Sequence, residues 1–86
     1  MTKYRVEVSA TAERQIARLQ VPDQIRVLRA IRALADEPQP PGTRKLTGYQ
    51  DVWRVRVGVY RILYSVDGGR LLVLVLKVGH RKDVYR

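Results

Sequence analysis

Residues 53–64, Trp-Arg-Val-Arg-Val-Gly-Val-Tyr-Arg-Ile-Leu-Tyr, constrain the fold more than any other stretch. Alternation runs up to Val57, breaks at Gly58 and resumes at Tyr60. Period two on both sides of a glycine predicts two antiparallel strands joined by a tight turn. With Gly58-Val59 as the two-residue loop, Gly58 supplies the positive φ that a type II′ turn needs at its first central position. That register sets Val57 opposite Tyr60, Arg56 opposite Arg61, Val55 opposite Ile62 and Trp53 opposite Tyr64. One face then carries Trp53, Val55, Val57, Tyr60, Ile62 and Tyr64 and is a core face. The other carries Arg54, Arg56 and Arg61. Like charges directly opposite on a sheet destabilise it by roughly 0.2–1 kcal/mol. A sequence selected for stability alone avoids that arrangement. Three guanidiniums on a rigid sheet point to an anion site, and phosphate is the natural anion for bidentate arginine. The other reading is an ordinary solvated basic face.

Charge supports the anion. The chain has 86 residues, with 17 Lys and Arg against 8 Asp and Glu, a net charge of +9. Residues 1–40 hold seven basic and five acidic residues; residues 41–86 hold ten and three. The excess therefore sits with the hairpin. A basic half of a small folded domain points to nucleic acid more than to other partners. A membrane surface fits less well, because no helix combines a Lys/Arg-rich face with a strongly apolar, aromatic one. With no cysteine and one histidine, a disulfide framework, thiol chemistry and a zinc site are excluded. The start, MTKYRVEV, lacks the apolar run of a signal peptide, and nothing reaches transmembrane length, so a cytoplasmic location is expected. The length suits one domain, 1–86, with little stability to spare.

Residues 3–8 alternate, with Tyr4, Val6 and Val8 on one face, and predict a first strand. Ser9 is a good N-cap, and Glu13 lies in the first turn of a helix over 10–20 whose apolar face is Ala12, Ile16 and Leu19. Val21-Pro22-Asp23 ends it and starts a second helix. There Ile25, Leu28, Ile31, Leu34 and Ala35 are expected inside, with Arg26, Arg29 and Arg32 mostly outside. Residues 38–43, PQPPGT, predict a rigid loop, and 44–48 a short strand and turn. Asp67-Gly68-Gly69 predicts a second hairpin turn. Residues 70–78, RLLVLVLKV, read as a central strand buried on both faces and ended by Gly79. The expected fold is α+β: two N-terminal helices, an αα-hairpin, packed on one face of a mostly antiparallel sheet in the order β-α-α-β-β-β-β. The arginine side faces away from the helices, and parity puts Leu72, Leu74 and Leu76 beside it. An uncovered basic and apolar face marks a binding surface.

Three stretches, PPGTRKLTGY, WRVRVGVYRILY and VLKVGHRKDVYR, closely resemble the RelE side of the RelE/ParE toxin superfamily over nearly the whole chain. The most specific pieces are Gly58, Tyr60, Arg61 and Tyr64, and the closing V-G-H-R-x-x-V-Y. The resemblance implies a bacterial or archaeal toxin of a type II toxin–antitoxin pair, neutralised by a cognate antitoxin with an acidic segment. RelE-type members are ribosome-dependent endoribonucleases that cut mRNA in the A site without metal or other cofactor. ParE-type members share the fold and poison DNA gyrase. A third possibility is a catalytically silent homologue that only binds RNA or its antitoxin. The resemblance carries catalytic roles to Arg54, Arg56, Arg61, Arg81 and Tyr85 around the scissile phosphate. Attack of a 2′-OH on its own 3′ phosphate gives a cyclic phosphate and a 5′-OH. Arg54 and Arg56 stand where lysines can occur, and arginine effectively does not lose its proton, so the general base is open. His80 is the one side chain whose unperturbed pKa, about 6.5, suits a base at neutral pH. Arg44, Lys45 and Lys82 are expected to contact RNA.

Overall fold

A computed structural model describes residues 3–49 and 51–80 of the chain. Its elements are β1 (Arg5–Val8), α1 (Ala10–Ala17), α2 (Val21–Ala33), β2 (Arg44–Lys45), β3 (Val52–Val57), β4 (Tyr60–Asp67) and β5 (Leu72–His80). The predicted order is the observed one. The strands form one five-stranded sheet, β1-β5-β4-β3-β2. Neighbours are antiparallel except β1 and β5, which run parallel from Arg5↔Leu72 to Val8↔Val75.

The hairpin register is the predicted one: Val57↔Tyr60, Arg56↔Arg61, Val55↔Ile62 and Trp53↔Tyr64. Gly58 takes φ +61° and Val59 does not take a positive φ, which selects type II′ over I′. Both helices pack on the Trp53–Tyr64 side. Ala12 and Ile16 of α1 and Val27, Ile31 and Leu34 of α2 and its C-cap bury against Val55, Ile62, Tyr64, Val73, Val75 and Val78.

Several details differ from the expectations. The helix expected over 10–20 stops at Ala17, because its end tightens into i→i+3 bonds from Arg18 N to Gln15 O and Leu19 N to Ile16 O. The buried stripe of α2 is Val27, Ile31 and Leu34. Ile25 and Leu28 are exposed, at 50% and 36%. Two apolar sets interleave in this helix, one at 21, 25 and 28, the other at 27, 31 and 34, and both have helical spacing. Polar anchors on the helix's first turn choose between them. Gln24 Nε2 donates to Ile16 O at 3.0 Å, satisfying the end of α1, while Asp23 accepts from the Tyr60 hydroxyl of β4. In the 67–71 turn, Asp67 Oδ1 accepts from Gly69 N and Arg70 N. The left-handed residue there is Leu71, φ +53°, rather than either glycine. That conformation aims the Leu71 carbonyl at Arg5 N, 2.8 Å away, and starts the β1–β5 ladder.

β5 departs most. It runs to His80, so Gly79 does not end it, and its outer face is only half covered: Leu72, Leu74 and Leu76 are intermediate in burial while Val73 and Val75 are buried. A β-bulge interrupts it, since Tyr64 pairs with Val75 but Leu63 with Lys77. The bulge reverses parity and puts Val78 inside. β1 has ended by this point, so backbone groups of β5 need other partners. α1 supplies them. Ser9 Oγ donates to Leu76 O at 2.8 Å, and Gln15 Oε1 accepts from Val78 N at 2.7 Å.

Ser9 Oγ also accepts from Ala12 N at 3.0 Å, as predicted for the N-cap. One hydroxyl thus serves both the helix start and the bulge. Ser9→Ala is expected to lower the unfolding free energy by about 2 kcal/mol, one part for the cap and one for the Leu76 carbonyl. Urea denaturation measures this; a loss no larger than an ordinary cap, about 1 kcal/mol, would leave the bulge contact without energetic weight.

Candidate functional site

Alternation along β3 and β4 leaves Arg54, Arg56 and Arg61 on the sheet face away from the helices, as predicted. The structure adds a fourth arginine. β2 pairs with β3 so that Arg44 stands opposite Arg54 and Lys45 opposite Trp53. Arg44 therefore joins the arginine face. Lys45 goes to the other one, with its Nζ 6.0 Å from the centre of the Trp53 ring. A two-residue strand has one side chain per face, which splits a pair expected to act together. The face thus holds two cross-strand arginine pairs, Arg44↔Arg54 and Arg56↔Arg61. Among the described residues no carboxylate pairs with Arg44, Arg54 or Arg56.

Three of these arginines, Arg44, Arg54 and Arg56, border a concavity of about 220 Å³ walled also by Pro41, Gly42 and Val55. The wall comes from the predicted 38–43 loop. Gly42 sits at φ +88°, a conformation that side chains rarely adopt. Tyr64 fixes the loop from beneath. Its ring is fully buried, its hydroxyl donates to Pro38 O at 2.6 Å, and Thr43 Oγ1 lies 3.4 Å away. Sequence reasoning placed Tyr64 in the core but missed this tether. It also missed the place of Arg44, because the β2–β3 connection is too long for spacing to set a register.

Beside the arginines the same face is apolar. A groove of about 650 Å³ runs over Leu46, Val52, Leu63 and Leu76, with Tyr49 and Lys77 at its margins. Leu63 is only 6% exposed although it lies outside the helix-side core.

His80 stands elsewhere. Gly79 pairs with Arg61 and His80 with Tyr60, so His80 is on the helix-facing side. Its ring meets Tyr60 edge-on, centroids 6.3 Å apart. The Tyr60 hydroxyl donates to Asp23 Oδ2 at 3.1 Å, and that bond, with some burial, raises the phenol above its ordinary pKa. The structure does not bring the one candidate base to the arginine face. Arg81, Lys82 and Tyr85 lie outside the described residues.

Burial also raises the Tyr64 phenol above its ordinary value of 10.0. A raised phenol is stabilised in its neutral form, so its contribution is complete below pH 10.0 and is lost as pH climbs through the folded-state value. Tyr64→Phe should therefore flatten part of the alkaline fall in stability. At pH 7 the same variant should cost about 1 kcal/mol through the lost Pro38 bond. Denaturant titrations at pH 7 and above pH 10 measure both; an unchanged alkaline slope would contradict the assignment.

Residues 6–85 match the family described as the ParE toxin of type II toxin–antitoxin systems. The chain is 34% identical to Toxin RelG of Mycobacterium tuberculosis, covering 96% of this chain and 97% of that protein. Its fold is similar to an archaeal RelE–RelB complex from Pyrococcus horikoshii, with TM-score 0.83, 30% identity, and 98% and 100% of the two chains covered. It is similar also to the toxin–antitoxin complex RelBE2 of M. tuberculosis, with TM-score 0.82, 29% identity, and 96% and 97% covered.

Proposed function

The chain belongs to the RelE/ParE toxins of type II toxin–antitoxin systems, and from that premise we propose that it is a ribosome-dependent endoribonuclease that cleaves mRNA in the A site. The observation that carries this reading is the arginine ladder on the sheet face away from the helices. Two like-charged cross-strand pairs on one face cost stability, and an anion between them offsets that cost.

In the proposed reaction the 2′-oxygen of a nucleotide attacks its own 3′ phosphorus. The 2′-proton leaves to an acceptor, the bond to the 5′ oxygen of the next nucleotide breaks, and that oxygen takes up a proton. The products are a 2′,3′-cyclic phosphate and a 5′-OH. Charge builds on the non-bridging oxygens, and Arg56 and Arg61 on adjacent strands neutralise it. Arg54 stands one pleat further along the same face. Arg81 is proposed to serve the leaving oxygen, and Tyr85 to stack on a base or orient the 2′-OH. Arginines do not act as bases, so positioning and charge neutralisation carry the rate. No proton passes through His80, which faces the helices.

The proposed partners are the ribosome with its mRNA and a cognate antitoxin with an acidic segment. One of the similar solved structures is a RelE–RelB complex, and another is the toxin–antitoxin complex RelBE2. The apolar groove beside the arginines suits such a segment, whose leucine-type side chains would enter the groove while carboxylates meet the guanidiniums. The proposed site of action is the cytoplasm; among the described residues no helix is long and apolar enough to cross a membrane.

Arg61→Ala is expected to reduce in-cell mRNA cleavage at least tenfold, read by primer extension after induction, with circular dichroism showing the fold kept. Full cleavage and growth arrest in the folded variant would remove the phosphate clamp. Purified protein should leave naked RNA largely uncut, and programmed ribosomes should restore cutting, because phosphate contacts alone do not hold the 2′-oxygen in line with its phosphorus. The matching family model is named for ParE toxins, which favours one rival, a toxin that blocks gyrase and cuts no RNA. Inhibited supercoiling without ribosome-dependent cleavage would establish that rival.

A further inference from the structure

The arginine face has a repeat. Arg44↔Arg54 forms one rung, and Arg56↔Arg61 forms another, two residues further along β3. Residues two apart on a strand share a face and are separated by about 7 Å. That is close to the step between successive phosphates of an extended nucleic-acid strand. A single anion needs one rung. Two rungs at this spacing fit two neighbouring phosphates.

The rungs also differ in surroundings. Arg44, Arg54 and Arg56 border the 220 Å³ concavity walled by Pro41 and Gly42. Arg61 does not border it and stands opposite Gly79 instead. β2 is two residues long, and among the described residues Pro41 and Gly42 border the concavity beside Arg54 and Arg56. The loop is held by Tyr64 through Pro38 and Thr43, so the wall stands in place before ligand arrives.

We propose that the face is a dinucleotide clamp: the Arg56–Arg61 rung takes the scissile phosphate, and the Arg44–Arg54 rung with the Pro41–Gly42 wall takes the phosphate next to it on the same single strand. Arg44 is then a positioning residue that fixes the strand's direction across β3 and touches no reacting atom. The assignment of the scissile phosphate to the second rung rests on the nuclease reading; the two-phosphate site itself does not.

The test pairs protein variants with neutralised phosphates. Short 2′-O-methyl oligoribonucleotides, which cannot self-cleave, carry one uncharged methylphosphonate at a chosen linkage. Binding is measured at low salt by fluorescence anisotropy. On the fully charged oligonucleotide, Arg44→Ala is expected to weaken binding about fivefold and reduce the salt slope by about 0.7. On an oligonucleotide neutralised at one linkage, Arg44→Ala is expected to change binding less than twofold. Arg56→Ala should become silent on neutralisation of the adjacent linkage, and on no other. Arg44→Lys should keep the salt slope, since it keeps the charge, while losing the forked contact. Arg44 is an exposed edge residue, and circular dichroism checks that its variants stay folded. The proposal is overturned if Arg44→Ala loses the same factor whichever phosphate is neutralised, if both arginines couple to one linkage, or if no oligonucleotide binds. The assay contains no ribosome and no cleavage. A protein with the predicted coupling that never cuts mRNA would sink the nuclease reading and leave the clamp standing.

Discussion

The structure depends on the pairing register of β3 with β4. Side chains alternate at a period of two, so slipping this pair by one residue would move every apolar side chain to the outer face and every arginine into the core. The Gly58 turn prevents the slip. A two-residue II′ loop with its left-handed residue at Gly58 closes on Val57 and Tyr60 and on no other pair. From that lock follow the buried positions of Val55, Ile62 and Tyr64, the seat for both helices, and the outward arginines. Fold and site are therefore two faces of one decision.

The face away from the helices carries the unfavourable terms. Arg44 stands against Arg54 and Arg56 against Arg61, with an apolar groove alongside. A small domain has little stability to set against such an arrangement. It is held by contacts away from the arginines: Ser9 and Gln15 fasten α1 to β5, Gln24 joins the helices, and Tyr64 anchors the loop that walls the concavity. Each replaces an exposed or frayed backbone group by a defined partner. The arginine pairs are in this way held by interactions in which their own side chains take no part.

Alternation and turn chemistry made the hairpin legible from residues 53–64 alone, and with it Arg54, Arg56 and Arg61 on one face. The element order followed from the same signals. What was hidden depended on contacts distant in sequence. The phase of α2 was ambiguous because two apolar sets share its length, and Asp23 and Gln24 decided between them through Tyr60 and α1. Arg44 and Lys45 looked equivalent until the pairing of β2 with β3 sent them to opposite faces. His80 seemed suited to proton transfer by its chemistry, and the parity of β5 turned it toward Tyr60. The bulge carried no mark in composition. Lys77 was its one trace, an interruption in an otherwise apolar run.

That interruption has a consequence for how the strand is read. Without the extra residue, strict alternation from Val75 would set Lys77 opposite Ile62 in the helix-side core and send Val78 outward. A lysine there would be a charge stripped of water, a far larger burden than an irregular ladder. The bulge works as a phase shifter. Upstream of it β5 keeps step with β1, and downstream it keeps step with the arginine hairpin, bringing a residue with no side chain, Gly79, opposite Arg61. The single-residue offset lets one unbroken β4 strand pair with both parts of β5 while Val75 and Val78 both turn inward and Lys77 stays on the outer face.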